Sequence, residues 1–137
     1  MNKFTYKDLE IGHKEAFTVN VSKEYQDAFR NFTKDVNPLH LDSRFARENG
    51  YEDCVVFGML TASYYSTLAG VYLPGEKSLI HSVEIKFLKP VYMGDTLKVE
   101  GVVKDKNDTF NLLIIKAIIT NQNNVKVSRA TMKVGVR

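Results

Sequence analysis

The stretch Asp35-Val36-Asn37-Pro38-Leu39-His40 sets a carboxylate and an imidazole five residues apart across a loop stiffened by proline. An imidazole moves protons near neutral pH, and a carboxylate beside it can accept a proton or orient a water molecule. Asn37 can brace the loop or hydrogen-bond the same water. Spacing alone favours a plainer alternative, in which Asp35 ends a helix, Asn37-Pro38 turns the chain and His40 packs as an ordinary polar residue. Further on, Gly58 opens a stretch without a single charged residue. A glycine entering a buried helix offers a free backbone donor to a ligand, or it simply makes a tight join.

The elements that must position these residues follow from periodicity. Tyr25, Ala28, Phe29 and Phe32 recur at helical spacing behind Ser22, a capping residue, with Glu24 in the first turn. A helix over residues 22 to about 35 follows, ending near Asp35 because Pro38 disfavours helical geometry at Asn37. A short helix runs from near Asp42 to Gly50. Residues 58 to 72 predict a helix covered on nearly every side, stopped by Leu73-Pro74-Gly75.

Strands are predicted at roughly 79 to 88, 95 to 105, 110 to 120 and 125 to 136, separated by turn-forming runs such as Tyr92-Met93-Gly94-Asp95 and Asn121-Gln122-Asn123-Asn124. In the last, the apolar alternation changes phase near Ser128 and Arg129, as a β-bulge would produce. With one more strand near the N-terminus, an antiparallel sheet can curl around the uncharged helix.

The 137 residues suit one domain, 1 to 137, without repeat or linker. The net charge of +3 is dispersed along the chain, which argues against nucleic-acid binding. The single cysteine, Cys54, excludes an internal disulfide and a zinc ligand set, so a reducing compartment is expected. The first 18 residues mix charges with short apolar steps, so no signal peptide or membrane span is expected and the protein is placed in the cytoplasm. Cys54, His13 and His81 have no evident partners and receive no chemistry.

The segment from Phe32 to His40 closely resembles the D-x-N-P-x-H signature of MaoC-like hydratases. The likeness extends through Lys7-Asp8-Leu9-Glu10-Ile11-Gly12, Gly58-Met59-Leu60-Thr61-Ala62-Ser63, Leu73-Pro74-Gly75 and Phe87-Leu88-Lys89-Pro90-Val91 before Gly94-Asp95. The resemblance implies an α+β hot-dog fold, an antiparallel sheet wrapped around a central helix, and a homodimer. It implies syn addition of water to a trans-2-enoyl thioester of coenzyme A or acyl carrier protein, giving a (3R)-hydroxyacyl product, or the reverse dehydration. No cofactor or metal is implied.

By the same resemblance Asp35 and His40 are the catalytic pair, the Gly58 amide polarises the thioester carbonyl, and Ser66 lies where a hydroxyl bonds the catalytic carboxylate. A serine there can equally bond the carbonyl one turn back. Phe57 departs from the pattern, because many relatives carry histidine before the glycine, and its aromatic ring is expected to line the acyl pocket. Two alternatives remain: a hot-dog thioester hydrolase, against which the absence of Asp and Glu from residues 58 to 72 argues, and a catalytically silent acyl-binding module.

Overall fold

The computed structural model describes residues 1–137. Five strands, β1 (Lys14–Asn20), β2 (Ser78–Phe87), β3 (Thr96–Asn107), β4 (Leu112–Thr120) and β5 (Lys126–Val136), form one sheet in the order β1-β3-β4-β5-β2. Every neighbouring pair is antiparallel. Three helices, α1 (Lys23–Thr33), α2 (Ser43–Glu48) and α3 (Gly58–Thr67), lie between β1 and β2, and α3 continues through a π-helical turn at Leu68–Tyr72. The sheet curls around α3, which is the hot-dog arrangement.

Alternation in β3 and β4 puts Leu97, Val99, Val103, Leu113, Ile115, Ala117 and Ile119 in the core, against Leu60, Tyr65 and Leu68 of the central helix. Gly101 permits the close approach of that helix: a Cβ there would stand 2.8 Å from Leu68 Cδ2. The expected bulge in β5 is present one residue earlier than its apolar pattern suggested. Ile119 faces Ser128 and Thr120 faces Lys126, so Val127 is the extra residue. The bulge turns both Val127 and Ser128 inward, where the Ser128 hydroxyl accepts from Tyr65 Oη (2.8 Å) and donates to the Lys86 carbonyl (3.1 Å). Burial pushes the Tyr65 phenol up to about 12, with the Ser128 hydrogen bond opposing it.

Helix α1 forms where its spacing predicts, with only Phe29 of the Tyr25, Ala28, Phe29, Phe32 stripe packed against the core. Tyr25, Ala28 and Phe32 are exposed, Phe29 is half-buried, and the fully buried residue of the helix is Gln26. In α3 the absence of charge does not mean cover on nearly every side. Met59, Ser63 and Ser66, spaced to share one face, are exposed.

The caps follow the sequence. The Ser22 hydroxyl accepts from the Tyr25 N–H at 3.3 Å, and Asp42 caps α2 by accepting from the Phe45 N–H at 3.1 Å. No helix is long and apolar enough to cross a membrane.

Candidate active site

Helix α1 stops because Lys34 adopts a left-handed conformation (φ 61°), its N–H still reaching the Arg30 carbonyl at 2.8 Å. The chain then enters a loop built from side-chain-to-backbone hydrogen bonds. Asp35 Oδ1 accepts from the Asn37 N–H at 3.0 Å, and Asn37 Oδ1 accepts from the Leu39 N–H at 3.0 Å. These Asx turns lead into a single 3-10 turn at Pro38–His40, with proline at its first position, where no N–H is needed.

His40 emerges from that turn half-buried, with Nδ1 2.7 Å from the Val55 carbonyl. A carbonyl can only accept, so Nδ1 carries the proton, and the neutral ring presents the lone pair on Nε2. The ring is also wedged sterically. The Phe57 ring lies 4.1 Å away, centroid to centroid, tilted by 31°, and Phe57 in turn lies 5.0 Å from the Phe29 ring. At 2% exposure Phe57 is a core residue that holds the imidazole as well as bordering the pocket.

Two open cavities share His40, Gly58 and Phe87 as a common wall. The first, about 530 Å³, is bordered by Phe29, Phe32, Thr33, Asp35, Phe57 and Met59 in addition. The second, about 290 Å³, is bordered by Tyr51, Val55, Val56, Thr61, Lys89 and Val91 among others. Apolar walls with a few polar groups suit an acyl chain bearing one reacting polar function. The N–H of Gly58 opens α3 without a hydrogen-bond acceptor in the protein, and the ring of Phe87 lies across its α-carbon, where an added Cβ would be 3.2 Å from Cε1.

Of the residues the sequence singled out, Asp35, His40, Phe57 and Gly58 thus meet at one cavity. Asn37 does not border it, and its side-chain oxygen is committed to capping the turn beneath His40. Ser66 also lies off both cavities. It is exposed and makes neither of the expected bonds, whereas the neighbouring Ser63 does bond the carbonyl one turn back, Leu60, at 2.6 Å.

Sequence reasoning missed Gln26, the Val55 carbonyl, Thr61 and Phe87. Thr61 carries a buried hydroxyl with no hydrogen bond to the protein, and it borders the second cavity. Its residue type carried no distinguishing signal, because Ser63, Ser66 and Thr67 are hydroxyl residues of the same uncharged helix. Nowhere in the chain do three or more His, Cys, Asp or Glu side chains converge as a metal site requires.

The segment between α2 and Val55 is fixed by Asp53. Its Oδ1 accepts from the Ser43 hydroxyl (2.6 Å) and the Cys54 N–H (2.7 Å). Those hydrogen bonds, the Ser43 one foremost, hold its carboxyl below the usual carboxylate range.

The chain is similar to several known proteins. The chain is 37% identical over 94 residues to an (R)-specific enoyl-CoA hydratase of Aeromonas caviae, covering 69% of this chain and 70% of that protein. It is 33% identical over 110 residues to a mitochondrial 3-hydroxyacyl-[acyl-carrier-protein] dehydratase of Arabidopsis thaliana, covering 79% of this chain but 64% of that one. An R-hydratase of Pseudomonas aeruginosa, solved unliganded, superposes with a TM-score of 0.91 at 27% identity, covering 98% of this chain and 86% of that one. The family described as MaoC like domain matches residues 8–126, and the chain therefore belongs to that family.

Proposed function

We propose that the chain catalyses (R)-specific hydration of trans-2-enoyl thioesters, or the reverse dehydration, a hydro-lyase reaction. The observation that carries this reading is the meeting of Asp35, the free Nε2 of His40 and the unpartnered Gly58 N–H at one apolar-walled cavity. Water must add to the β-carbon while a proton reaches the α-carbon. Asp35 and His40 take the two ends of that transfer on a single water, which makes addition syn. The Gly58 N–H receives the negative charge that develops on the thioester oxygen. Asn37 fixes the loop, its side-chain oxygen capping the turn that carries His40. Phe57 shapes the pocket around His40.

Hydrolysis is the poorer reading, because α3 carries no carboxylate to assist attack on the carbonyl. The carrier is coenzyme A or acyl carrier protein, the two kinds of thioester that the relatives' names specify. We place the reaction in the cytoplasm, in keeping with one buried free cysteine and no disulfide.

A homodimer is also proposed. Phe32 at 74% exposure and Met59 at 61% wall the cavity from the solvent side, and a second copy would cover them and bring the exposed Ser66 face of α3 into contact. The test of function is the product formed from crotonyl-CoA. Loss of the enoyl absorbance with a (3R)-hydroxybutyryl product supports the reading, and free coenzyme A or a (3S) product refutes it.

A further inference from the structure

Gln26 is the one fully buried residue of α1, at 2% exposure, and its amide is divided between the two segments that carry the site. Its nitrogen donates to the Val55 carbonyl at 3.1 Å and, more weakly, to the His40 carbonyl at 3.4 Å. Its oxygen accepts from the Phe57 N–H at 3.2 Å. Only one orientation of the amide satisfies all three, since carbonyls need the donor side and the N–H needs the acceptor.

The Val55 carbonyl is therefore shared. It takes the His40 Nδ1 proton at 2.7 Å and the Gln26 amide together, one on each lone pair. The Phe57 N–H held by the same glutamine belongs to the peptide immediately before the one that ends in the Gly58 N–H. From this juxtaposition we propose that Gln26 is the positioning residue of the site, locking the carbonyl that sets the tautomer and direction of His40 and tying it to the start of α3.

The inference rests on the proposed role of His40. An apolar side chain would fill the same core position at less desolvation cost, so the amide is explained by what it orients. It acts through backbone groups and touches no substrate. The titratable side chain that its partners hold is His40, with Asp35 bordering the same cavity.

The test compares the whole protein with its Gln26→Met, Gln26→Glu and His40→Asn variants, reading kcat, KM and the pH dependence of kcat with crotonyl-CoA. Gln26→Met keeps the length of the side chain and removes all three bonds. Its kcat falls on the order of ten-fold with KM changed less than about two-fold, as expected when an orienting partner of a reacting group is lost.

Gln26→Glu is the conservative rescue. Protonated, the new carboxyl donates to Val55 and accepts from Phe57. Ionised, it turns an anion toward two carbonyl oxygens. Its kcat relative to the parent is therefore near parental at the acid end of the profile and falls as pH rises. A merely structural glutamine would lower the melting temperature and leave kcat and its pH profile at parental values. That result in either variant overturns the inference, and if Gln26→Met does not fold, the pH response of Gln26→Glu decides alone. His40→Asn separates the two ideas. A parental kcat there removes the catalytic reading itself, whereas an inactive His40→Asn beside parental Gln26 variants removes only this inference.

Discussion

The most demanding prediction concerns the shared water. Asn overlays the Nδ1 half of histidine, so His40→Asn keeps a donor for the Val55 carbonyl, now held by a 2.7 Å hydrogen bond, and removes only Nε2. Asp35→Asn likewise keeps an oxygen to accept from the Asn37 N–H, and Asp35 is exposed, so little folding energy depends on its charge. Each hydrogen bond at risk is worth about 0.5–1.5 kcal/mol. The melting temperature of either variant should therefore stay within a few degrees of the parent.

Activity should respond quite differently. General acid–base assistance supplies roughly 10²–10⁴ in rate, or about 2.7–5.5 kcal/mol at 1.36 kcal/mol per decade. Either single variant loses that amount from kcat. Because both groups border one cavity and are proposed to serve one water, the double variant should be no more than a few-fold worse than the worse single. Two independent groups would instead lose on the order of 10⁴–10⁸ together. The assay is steady-state loss of enoyl thioester absorbance at saturating crotonyl-CoA, with melting curves for all four proteins. Multiplicative losses, or near-parental kcat in either single variant, would refute the shared-water mechanism.

Three further outcomes follow from the same contacts. Phe57→His puts a second imidazole about where the Phe57 ring now stands, 4.1 Å from His40. A polar ring in place of an apolar one at that wall should raise KM for crotonyl-CoA, and unchanged KM and chain-length preference would show that the position does not shape the pocket. Asp53 has a depressed carboxyl pKa, so its contribution to stability is present above the unfolded value and is lost as pH falls through the folded one. Asp53→Asn should accordingly flatten the fall of melting temperature as pH drops below the usual carboxylate range. Light scattering of the parent at assay concentration should report twice the 15.6 kDa chain mass, and monomer alone would exclude the proposed dimer.

Most of the fold was legible in the sequence because single local signals set it. Ser22 and Asp42 are helix caps with side-chain oxygens, and each caps the helix expected of it. The four predicted strands begin and end within two residues of β2 to β5, because alternation and turn residues mark both their faces and their ends. The phase change in β5 even forecast a bulge, displaced by one residue because the inward Ser128 is polar and does not register in an apolar pattern.

What helical periodicity leaves open is the direction in which a helix faces. Period fixes which residues of α1 share a side, but not which side meets the sheet. The apolar Tyr25 and Phe32 are left exposed while Gln26 is buried.

The same blindness explains the uneven reading of the site. Asp35 and His40 were visible because a short loop joins them, and the loop is self-contained: its Asx turns need nothing beyond residues 35 to 39. The groups that aim His40 come from farther along the chain. The carbonyl it bonds belongs to Val55, fifteen residues on, and a carbonyl leaves no trace in residue type. Gln26, on the helix before the loop, reads locally as a polar interruption of an amphipathic pattern. Its meaning depends on the Pro38–His40 turn and the segment leading into α3 packing so that residues 40, 55 and 57 present two acceptors and a donor to one amide. A residue that reacts can be recognised by its own chemistry. A residue that orients it is recognised only by what it leaves satisfied, which is a property of the fold.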